Sequence, residues 1–297
     1  MRGHRRWAVL GALCAAGIAG HAGADCGTPS VRFLDSEKIA RTGKGYAEPS
    51  GLSLAGDGEG LLSVSDDTAA IFRLRPDGGF GTRHDIALAK PDLEGVAWDM
   101  VRNRILTVNE GAAEILVTDP HSWVSKAFPL SKMQGYPAVE QVFATSDPND
   151  LLEGIAVDPA RDLIFVLKEK RPRLLLEISP DLTEILRATE LTPALGFVDD
   201  DQGDWPLDVS GVSVDGPTGC LWIVSDRGQR LFLFDPAGDS PARSFALGWL
   251  KDKKPQPLPH AEGIAHDPAT DRLMIVNDDG KASRLFTFEV LRGGAPD

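Results

Sequence analysis

The sequence predicts an all-β protein with a β-propeller fold, because two short phrases return together five times along the chain. The first phrase is a small or acidic residue, a glycine and an alternating apolar run, and its glycines are Gly51, Gly95, Gly154, Gly211 and Gly263. The second phrase is a β-rich run that ends in a polar–acidic pair. The first residue of each pair lies fourteen residues after the glycine of the same repeat. Repeats of roughly 40–60 residues that are rich in short strands are typical of propeller blades.

Each repeat divides into short strands. In the fourth repeat, the runs 211–215, 220–225 and 230–234 are separated by turns rich in Gly, Pro and Asp, and residues 242–247 supply a fourth strand. Period-two alternation between such turns predicts antiparallel strands joined by hairpins. Four strands in each of five repeats therefore predict five blades.

The two ends of the chain are predicted to close the ring. The fifth repeat stops after its third strand, at 284–290, and an unassigned strand-like run at 31–34 precedes the first repeat. An N-terminal strand that completes the last blade would remove the exposed sheet edges. The glycines are 44, 59, 57 and 52 residues apart, which leaves room for insertions, one of them at 197–207. A degenerate sixth blade within Ser125–Pro148 is the alternative.

The N-terminus predicts a cleaved secretory signal peptide over residues 1–24. Arg2, Arg5 and Arg6 precede an apolar stretch at 7–19, and small residues follow at 22–24. This order matches the three regions of a signal peptide, and the apolar stretch is shorter than the ~20 residues that span a bilayer. The sequence therefore predicts a single propeller domain over 25–297, periplasmic or secreted, monomeric and without a membrane span.

The charge of the chain limits its partners. The formal net charge is −13, and removal of a leader with three arginines makes it −16. Binding to nucleic acid or to anionic lipid depends mainly on Lys and Arg, so neither is a predicted partner. Divalent cations are natural partners of such a surface, although acidity is also a common solubility device.

Two cysteines, Cys26 and Cys220, remain after cleavage. An exported chain with an even number of cysteines can form a disulfide, which here would tether the N-terminus to the fourth repeat. The alternative is that Cys220 is an apolar strand residue and Cys26 lies in a mobile end.

Acidic residues recur at the two ends of the phrases. In a propeller the first strand of each blade lines the central channel, so residues just before it crowd the channel mouth. The positions before the glycines are Ser50, Glu94, Glu153, Ser210 and Glu262. The turn after the second strand lies at the same end of each blade, and it carries Asp66, Glu110, Glu169, Asp226 and Asp278. Up to eight carboxylates are thus predicted to converge at one mouth.

A hard divalent cation would balance these charges, since like charges at short range raise pKa values or disorder loops. Calcium accepts six to eight oxygen ligands in flexible geometry, whereas magnesium prefers a stricter octahedron. The predicted Ca²⁺ ligands are Asp66, Glu94, Asn109, Glu110, Glu153, Glu169, Asp226, Glu262, Asn277 and Asp278. Zinc is not expected, because no His/Cys pair has ligand spacing. Alternatively each carboxylate accepts backbone N–H bonds within its own blade, and both roles can coexist, with glutamates on the metal and aspartates in the turns.

Other polar features carry weaker signals. Lys168, Lys170, Arg171 and Arg173 form a basic cluster that either holds an anionic group or balances nearby acids in a solvated turn. The acidic run 199–204 matches an EF-hand loop only in part, and His260 near the mouth is interpreted as a packing residue. The sequence has no G-x-S-x-G elbow, P-loop, dinucleotide fingerprint or C-x-x-C, so no catalytic residue is assigned.

The repeated phrases resemble the SdiA-regulated family of exported bacterial proteins. The matching text lies at residues 48–52, 92–96, 152–156 and 209–213, each with its downstream polar–acidic pair, and the resemblance spans about 30–290. It implies a periplasmic or cell-surface propeller that binds calcium near its axis. Phytase-like propellers share the same phrases and would imply metal-dependent phosphoester hydrolysis. Lys168, where the other repeats have Ser or Asn, departs from the pattern.

Two functions follow from these observations. The first is a non-catalytic calcium-binding propeller that holds a small molecule or a cell-surface ligand. The second is a calcium-dependent hydrolase of a phosphoester, ester or lactone, with Glu110 or Asp226 as a free base, since a bound metal can activate water and polarise an ester. A purely structural or adhesion module is disfavoured because the acids concentrate at one end.

Overall fold

The computed structural model describes residues 25–198 and 207–293, in which five four-stranded antiparallel sheets form a five-bladed β-propeller. The strands of the first three blades are, from the axis outward, β2 (Pro49–Leu54), β3 (Leu61–Ser65), β4 (Thr68–Leu74) and β5 (Phe80–Asp85); β6 (Leu93–Asp99), β7 (Arg104–Asn109), β8 (Glu114–Thr118) and β9 (Ser125–Pro129); and β10 (Leu152–Asp158), β11 (Leu163–Lys168), β12 (Leu174–Ile178) and β13 (Ile185–Glu190). The fourth blade contains β14 (Gly211–Val214), β15 (Leu221–Ser225), β16 (Arg230–Phe234) and β17 (Arg243–Ala246).

The fifth blade joins the two ends of the chain, as predicted. Its strands are β20 (Ala261–Asp267), β21 (Arg272–Asn277) and β22 (Arg284–Leu291), with β1 (Ser30–Lys38) as the outer strand. Strand β1 pairs antiparallel with β22, so that Val31 lies opposite Val290. The N-terminal strand therefore closes the ring.

The tight turns between first and second strands form where the sequence supplies Asp and Pro. In the third blade, Asp158 Oδ1 accepts the N–H groups of Ala160, at 2.9 Å, and Arg161, at 3.1 Å. Asp162, which precedes the next strand, has a left-handed φ of 54°, and Asn103 and Asp271 at the equivalent positions have φ values of 47° and 50°. Asp and Asn tolerate this conformation better than other residues with side chains.

The repeated glycines bring the five inner strands together. Strand β2 contacts β6 and β20, and β10 and β14 complete the circle. A Cβ atom on Gly51 would lie 2.8 Å from Glu94 O, and one on Gly154 would lie 2.9 Å from Val212 N. Each glycine thus lets its strand approach the backbone of the next blade, which is the role expected of glycine at a close approach.

The hydrophobic core is divided among the interfaces between blades. Within residues 25–198 and 207–293 the buried apolar side chains form five clusters, each between neighbouring blades. For example, Leu106 and Val108 of the second blade pack with Ile155 and Val166 of the third. Because every blade needs both neighbours to bury its faces, the ring is stabilised as one unit.

The long glycine spacing between the second and third repeats is an insertion and not a sixth blade. Residues Ser125–Pro129 form β9, the outer strand of the second blade. The connection then contains α1 (Glu140–Thr145) and the short 3-10 turns Leu130–Lys132, Tyr136–Ala138 and Pro148–Asp150. The alternative of a sixth blade within Ser125–Pro148 is therefore wrong, because these residues complete one sheet and then leave it. Further 3-10 turns lie at Thr42–Lys44, Pro193–Leu195 and Gly280–Ala282.

A hairpin that the repeat pattern did not indicate joins the fourth and fifth blades. Its strands are β18 (Gly248–Lys251) and β19 (Lys254–Pro257). Trp249 anchors it on the fifth blade, with ring centroids 6.4 Å from Phe33 and 5.4 Å from Phe286.

Cys26 and Cys220 form a disulfide with a Cα–Cα distance of 5.8 Å. The bridge links the segment before β1 to the fourth blade across 194 residues of sequence. A crosslink over a long loop stabilises a protein mainly by restricting the unfolded chain.

Replacing Cys26 by Ser is expected to lower the free energy of unfolding by about 2–5 kcal/mol. Chemical denaturation of the variant and the wild type measures this difference. Wild-type protein in dithiothreitol is the control and should match the variant, which itself should not respond to the reductant. Equal stabilities for wild type and variant would contradict the prediction.

Two predicted features lie outside the residues that the structure describes: the signal peptide at 1–24 and the acidic run at 199–204. Both remain predictions. Across residues 25–198 and 207–293, no helix has the length and hydropathy needed to cross a membrane.

Candidate metal centre

The residues that precede the five glycines lie at one pole of the ring, which we call the acidic pole. The glycines pack at a common level, since Gly51 lies against Glu94 O and Val96 N, and Gly263 lies against Leu52 N. The inner strands begin just before them, so Glu94, Glu153 and Glu262 belong to the same end of the axis. The turns between the second and third strands reach the same end, because the second strand of each blade runs antiparallel to the first.

Irregular pairing marks the point where each glutamate leaves its strand. The register between first and second strands shifts between Leu93 and Val96, and equivalent shifts occur at Glu153 and Glu262. A bulge leaves its extra residue unpaired and redirects its side chain, and bulges are frequent beside functional sites. The repeated glutamate–glycine pair occupies this bulge in three blades.

Three axial glutamates from different blades interact electrostatically. Burial raises the pKa of Glu153 well above its usual range, and the carboxyl groups of Glu94, Glu169 and Glu262 raise it further. Burial likewise raises the pKa of Glu94 and of Glu262, and each of these is raised further by neighbouring carboxyl groups. The side chains are thus close enough to repel one another in a poorly hydrated environment.

Two further acids stand beside the axial glutamates. Glu110, which is buried, accepts the Leu151 N–H at 2.8 Å through Oε1. Burial raises the pKa of Glu110 to about 8, and Asp92 and Glu169 add to the rise. Burial raises the pKa of Glu169 to about 7, against the opposing effect of Lys170.

The carboxylate oxygens form two groups that fit a metal ion. Oxygens of Glu110, Glu153 and Glu169 all lie within 4.8 Å of one another, and so do oxygens of Asp92, Glu94 and Glu110. Calcium–oxygen bonds of about 2.3–2.6 Å place ligands on opposite sides of an ion roughly 5 Å apart. Both groups therefore suit a hard cation with oxygen ligands, and they share Glu110.

Asp66 belongs to a separate group at the rim. Its oxygen lies within 4.8 Å of oxygens of Glu48 and Asp67. Burial raises the pKa of Asp66 to about 7, and the Glu48 and Asp67 charges contribute. Asp66 Oδ1 accepts the Asp67 N–H at 2.5 Å, so this carboxyl also has a bond within its own turn.

Two other predicted ligands accept hydrogen bonds within their own turns, and Asp226 also binds the start of β20 in the next blade. Asp226 Oδ1 accepts the Gln229 side chain and the Ala261 N–H, both at 3.3 Å. Asp278 Oδ1 accepts the Gly280 N–H at 3.2 Å. The carboxyl groups of Asp226 and Asp278 are thus engaged with nearby backbone N–H groups.

The two asparagines differ in their bonding. Asn277 Oδ1 accepts the Arg284 N–H at 2.7 Å, and its amide group donates to Pro259 O at 2.9 Å. Both ends of Asn277 are therefore engaged within the fifth blade. The Asn109 amide group donates to Glu114 Oε1 at 2.9 Å, whereas its buried Oδ1 has no hydrogen-bond partner among the described residues.

A second acidic position in the repeat, three residues before the glycine, was not predicted from the sequence. Asp92 accepts the Gly111 N–H at 2.8 Å and contributes to a carboxylate group. Asp208 is buried and accepts Ser225 Oγ–H at 2.5 Å and the Arg227 N–H at 3.1 Å. The signal was present, because residues two apart on an extended chain face the same side and Glu94 was already assigned to the channel mouth.

The basic cluster is structural in its buried part. Lys168 Nζ donates to Asp150 O and Lys170 O, at 2.8 and 2.9 Å, and buried Arg173 donates to Leu191 O and Leu207 O. Lys170 Nζ lies 2.5 Å from Asp150 Oδ1 and 2.6 Å from Glu169 Oε2, so it balances nearby acids. His260 Nδ1 lies 3.8 Å from Asp226 Oδ2 and is largely exposed, which differs from the packing role expected of it.

Directly below the glutamates, the axis is filled by a ring of aliphatic side chains. One residue after each glycine stand Leu52, Val96, Ile155, Val212 and Ile264, which we call the aliphatic ring. Their exposed fractions are between 1 and 4 %. The void among these side chains and the glycines is only about 10 Å³, which is space for about one water molecule at most. The ring closes the channel and gives the glutamates an apolar floor.

Comparison with known proteins identifies a family and a fold. A model of the SdiA-regulated family matches residues 38–279. Among solved structures, glutaminyl cyclase from Myxococcus xanthus is similar with 12 % identity and a TM-score of 0.60, over 89 % of this chain and 97 % of that one. A luciferin-regenerating enzyme is similar with 13 % identity and a TM-score of 0.51, over 90 % and 98 % of the two chains.

A protein of unknown function from Bacteroides thetaiotaomicron is also similar, with 11 % identity and a TM-score of 0.51, over 88 % of this chain and 77 % of that one. At these identities the similarities show the propeller fold alone. No curated protein matches the chain.

Proposed function

We propose, for a chain that belongs to the SdiA-regulated family, that the acidic pole binds calcium and that the protein acts outside the cytoplasm as a binding propeller. The observation that carries the proposal is the convergence of carboxyl groups from the second and third blades on two neighbouring sites of ionic size, which share Glu110. In the part of the chain that the structure describes, no lysine or arginine forms an ion pair with Glu94, Glu153 or Glu262, and the ion pairs of Lys170 are with Glu169 and Asp150. A divalent cation would supply the missing positive charge.

The donor set favours calcium over other metals. Both groups consist of carboxylates alone, without the His or Cys ligands that zinc prefers. The ligands come from the second and third blades and are mostly flexible glutamates, which suits the variable coordination of calcium better than the strict octahedron of magnesium.

The loops that surround the acidic pole favour the binding of a second ligand next to the ion. All connections between blades emerge at this end, including the insertion with α1 and the β18–β19 hairpin. A small molecule or cell-surface group with oxygen atoms could complete the coordination of the ion. The disulfide supports an oxidising compartment such as the periplasm or the exterior, as does the predicted leader.

Hydrolysis of a phosphoester, ester or lactone is the second candidate. It is favoured by Glu110, which takes part in both carboxylate groups and whose pKa is raised to about 8. A carboxylate with a pKa near neutrality is suited to general base catalysis. This role would require Glu110 to have an oxygen that is not bound to the metal.

Calcium is expected to raise the melting temperature of the metal-free protein. At a free concentration one hundred times the Kd, binding stabilises the folded state by about 2.7 kcal/mol, which corresponds to roughly 5–10 °C for a protein of this size. Thermal unfolding in EDTA, Ca²⁺ and Mg²⁺ measures the effect, and magnesium should give a smaller one. The control variant Glu59→Gln, at an exposed position in the turn between β2 and β3, should respond as the wild type does.

The same samples separate the two candidate functions. Turnover of p-nitrophenyl phosphates, esters or lactones that requires calcium would establish the hydrolase. Calcium-dependent stabilisation without turnover would support the binding protein. No response to calcium in any assay would overturn both.

A further inference from the structure

The end of the axis opposite the acidic pole contains a cavity that the calcium proposal does not use. Three residues after each repeated glycine stand Leu54, Trp98, Val157, Val214 and His266. Together with the aliphatic ring they line a cavity of about 360 Å³ that is open to solvent on one side. Small-molecule sites commonly measure about 300–1,000 Å³, so this volume suits a compact ligand.

The cavity is blind. Its inner end is the aliphatic ring, and beyond that ring lies only the void of about 10 Å³. A molecule that enters from the end opposite the acidic pole therefore contacts Leu52, Ile155 and Ile264 and cannot reach the glutamates. The cavity and the acidic pole are separate sites.

The polar groups along the cavity are mostly engaged with one another. The buried His266 ring has Gly216 N 3.3 Å from Nδ1 and Asp271 Oδ1 3.2 Å from Nε2. Asp267 accepts the Ala269 N–H at 3.0 Å and the Thr270 hydroxyl at 2.6 Å. These groups need no ligand to satisfy them.

Two donors along the cavity have no acceptor among the described residues. Ser213 Oγ accepts the His266 N–H at 3.0 Å, and its own O–H has no partner in residues 25–198 and 207–293. The indole N–H of Trp98 likewise has no acceptor among the described residues. The indole ring packs on Gly56, where a Cβ atom would overlap it. A ligand that carries a hydrogen-bond acceptor would match them.

The charges at the cavity disfavour an anion. None of the described residues that line it is lysine or arginine, and its one charged lining residue is Asp267. A carboxylate would therefore lose its hydration without gaining a cation. At the rim, Met100 is 64 % exposed, and an apolar ligand would remove such surface from water.

We propose that this cavity binds a free, neutral amphiphile with an aliphatic chain of roughly a dozen heavy atoms and one hydrogen-bond acceptor, such as an alcohol, ester or ketone group. The size follows from the volume, since one water-sized group occupies about 30 Å³ in a liquid. The chain packs on the aliphatic side chains, and the acceptor receives the Trp98 N–H or the Ser213 hydroxyl.

The experiment uses the neutral fluorophore N-phenyl-1-naphthylamine with the full-length mature protein. The fluorophore should bind at one site per chain and be displaced by 1-decanol at a concentration at least tenfold lower than by decanoate at pH 7.5. EDTA should not change either displacement, so a failed calcium proposal would leave this result intact. Equal displacement by decanol and decanoate, or no binding of the fluorophore, would overturn the proposal.

Variants locate the site. Val157 and Val214 line the cavity and are partly exposed, so larger side chains there should occupy its volume. Val157→Trp and, independently, Val214→Phe should each weaken decanol binding at least tenfold. Val124→Trp, at an exposed turn outside the cavity, is the matched control and should bind as the wild type does. Unchanged binding in a folded cavity variant would overturn the proposal. Cosedimentation with phosphatidylcholine vesicles without displacement by decanol would assign this face to a membrane surface and also overturn it.

Discussion

Without divalent cations, the protein is expected to lose stability as the pH rises from about 5 to about 9. Burial and mutual repulsion raise the pKa of Glu110 to about 8 and the pKa of Glu169 to about 7, and raise the pKa of Glu153 as well. An acid whose folded pKa lies above its unfolded pKa binds its proton more tightly in the folded state. Its contribution to stability is complete below the unfolded pKa, near 4.5, and is lost as the pH rises through the folded pKa.

The expected loss is large because several carboxyl groups act together. One pKa unit corresponds to about 1.4 kcal/mol, so buried Glu110 alone accounts for a loss on the order of 3–5 kcal/mol. A loss of that size lowers the melting temperature by roughly 10 °C in a protein of this length. Saturating calcium should remove most of the dependence, because the ion takes the place of the protons.

Unfolding at pH 5, 6, 7, 8 and 9, in EDTA and in calcium, measures this prediction. Glu110→Gln is expected to flatten the profile in EDTA, which separates the pole from the general effect of the net charge. A wild-type profile that is flat in EDTA, or that keeps its slope in saturating calcium, would contradict the assignment.

Replacement of Glu153 by Gln is expected to abolish most of the calcium response and to stabilise the metal-free protein. Glu153 is only 8 % exposed and interacts with Glu94 of the second blade and Glu262 of the fifth. A neutral amide of the same shape removes the repulsion, so the free energy of unfolding in EDTA at pH 8 should rise. The same change removes a charged ligand, and calcium affinity should fall by about tenfold to a hundredfold, since ligand charge sets affinity at such sites.

This variant also tests the alternative that the carboxylates only hold their own blades. In that case Glu153→Gln would lower stability equally in EDTA and in calcium. Glu59→Gln is again the control, because Glu59 lies in an exposed turn at the opposite end of its blade. Denaturation of the three proteins at pH 8, with and without calcium, distinguishes these outcomes.

The fold could be predicted from the sequence because each blade repeats one local pattern. The spacing between Gly51 and Ser65 fixes a hairpin in the first blade, and its return in every repeat fixes the ring. Closure by residues 30–38 followed from a missing strand in the last repeat. The β18–β19 hairpin could not be predicted, because it occurs once and is held by the contact of Trp249 with Phe33, which is remote in sequence.

The acidic pole could be predicted in position but not in bonding. A repeat shows that Glu94 and Glu262 share a level on the axis, whereas the partner of each oxygen depends on loops that differ between blades. Asn277 is an example: it was predicted as a metal ligand, but its side-chain oxygen accepts the backbone N–H of Arg284. The aliphatic ring was as regular in sequence as the acids, yet its role became clear only when the five side chains were seen to close one channel.

Titration calorimetry of calcium into the metal-free protein tests the acidic pole most directly. Measured in two buffers of different ionisation enthalpy, the wild type should bind calcium with release of protons from the raised carboxyl groups. The triple variant Glu94→Gln, Glu153→Gln, Glu262→Gln should stay folded and give no binding heat. A wild type without binding heat in either buffer, or a folded triple variant that binds calcium as tightly as the wild type, would contradict the account.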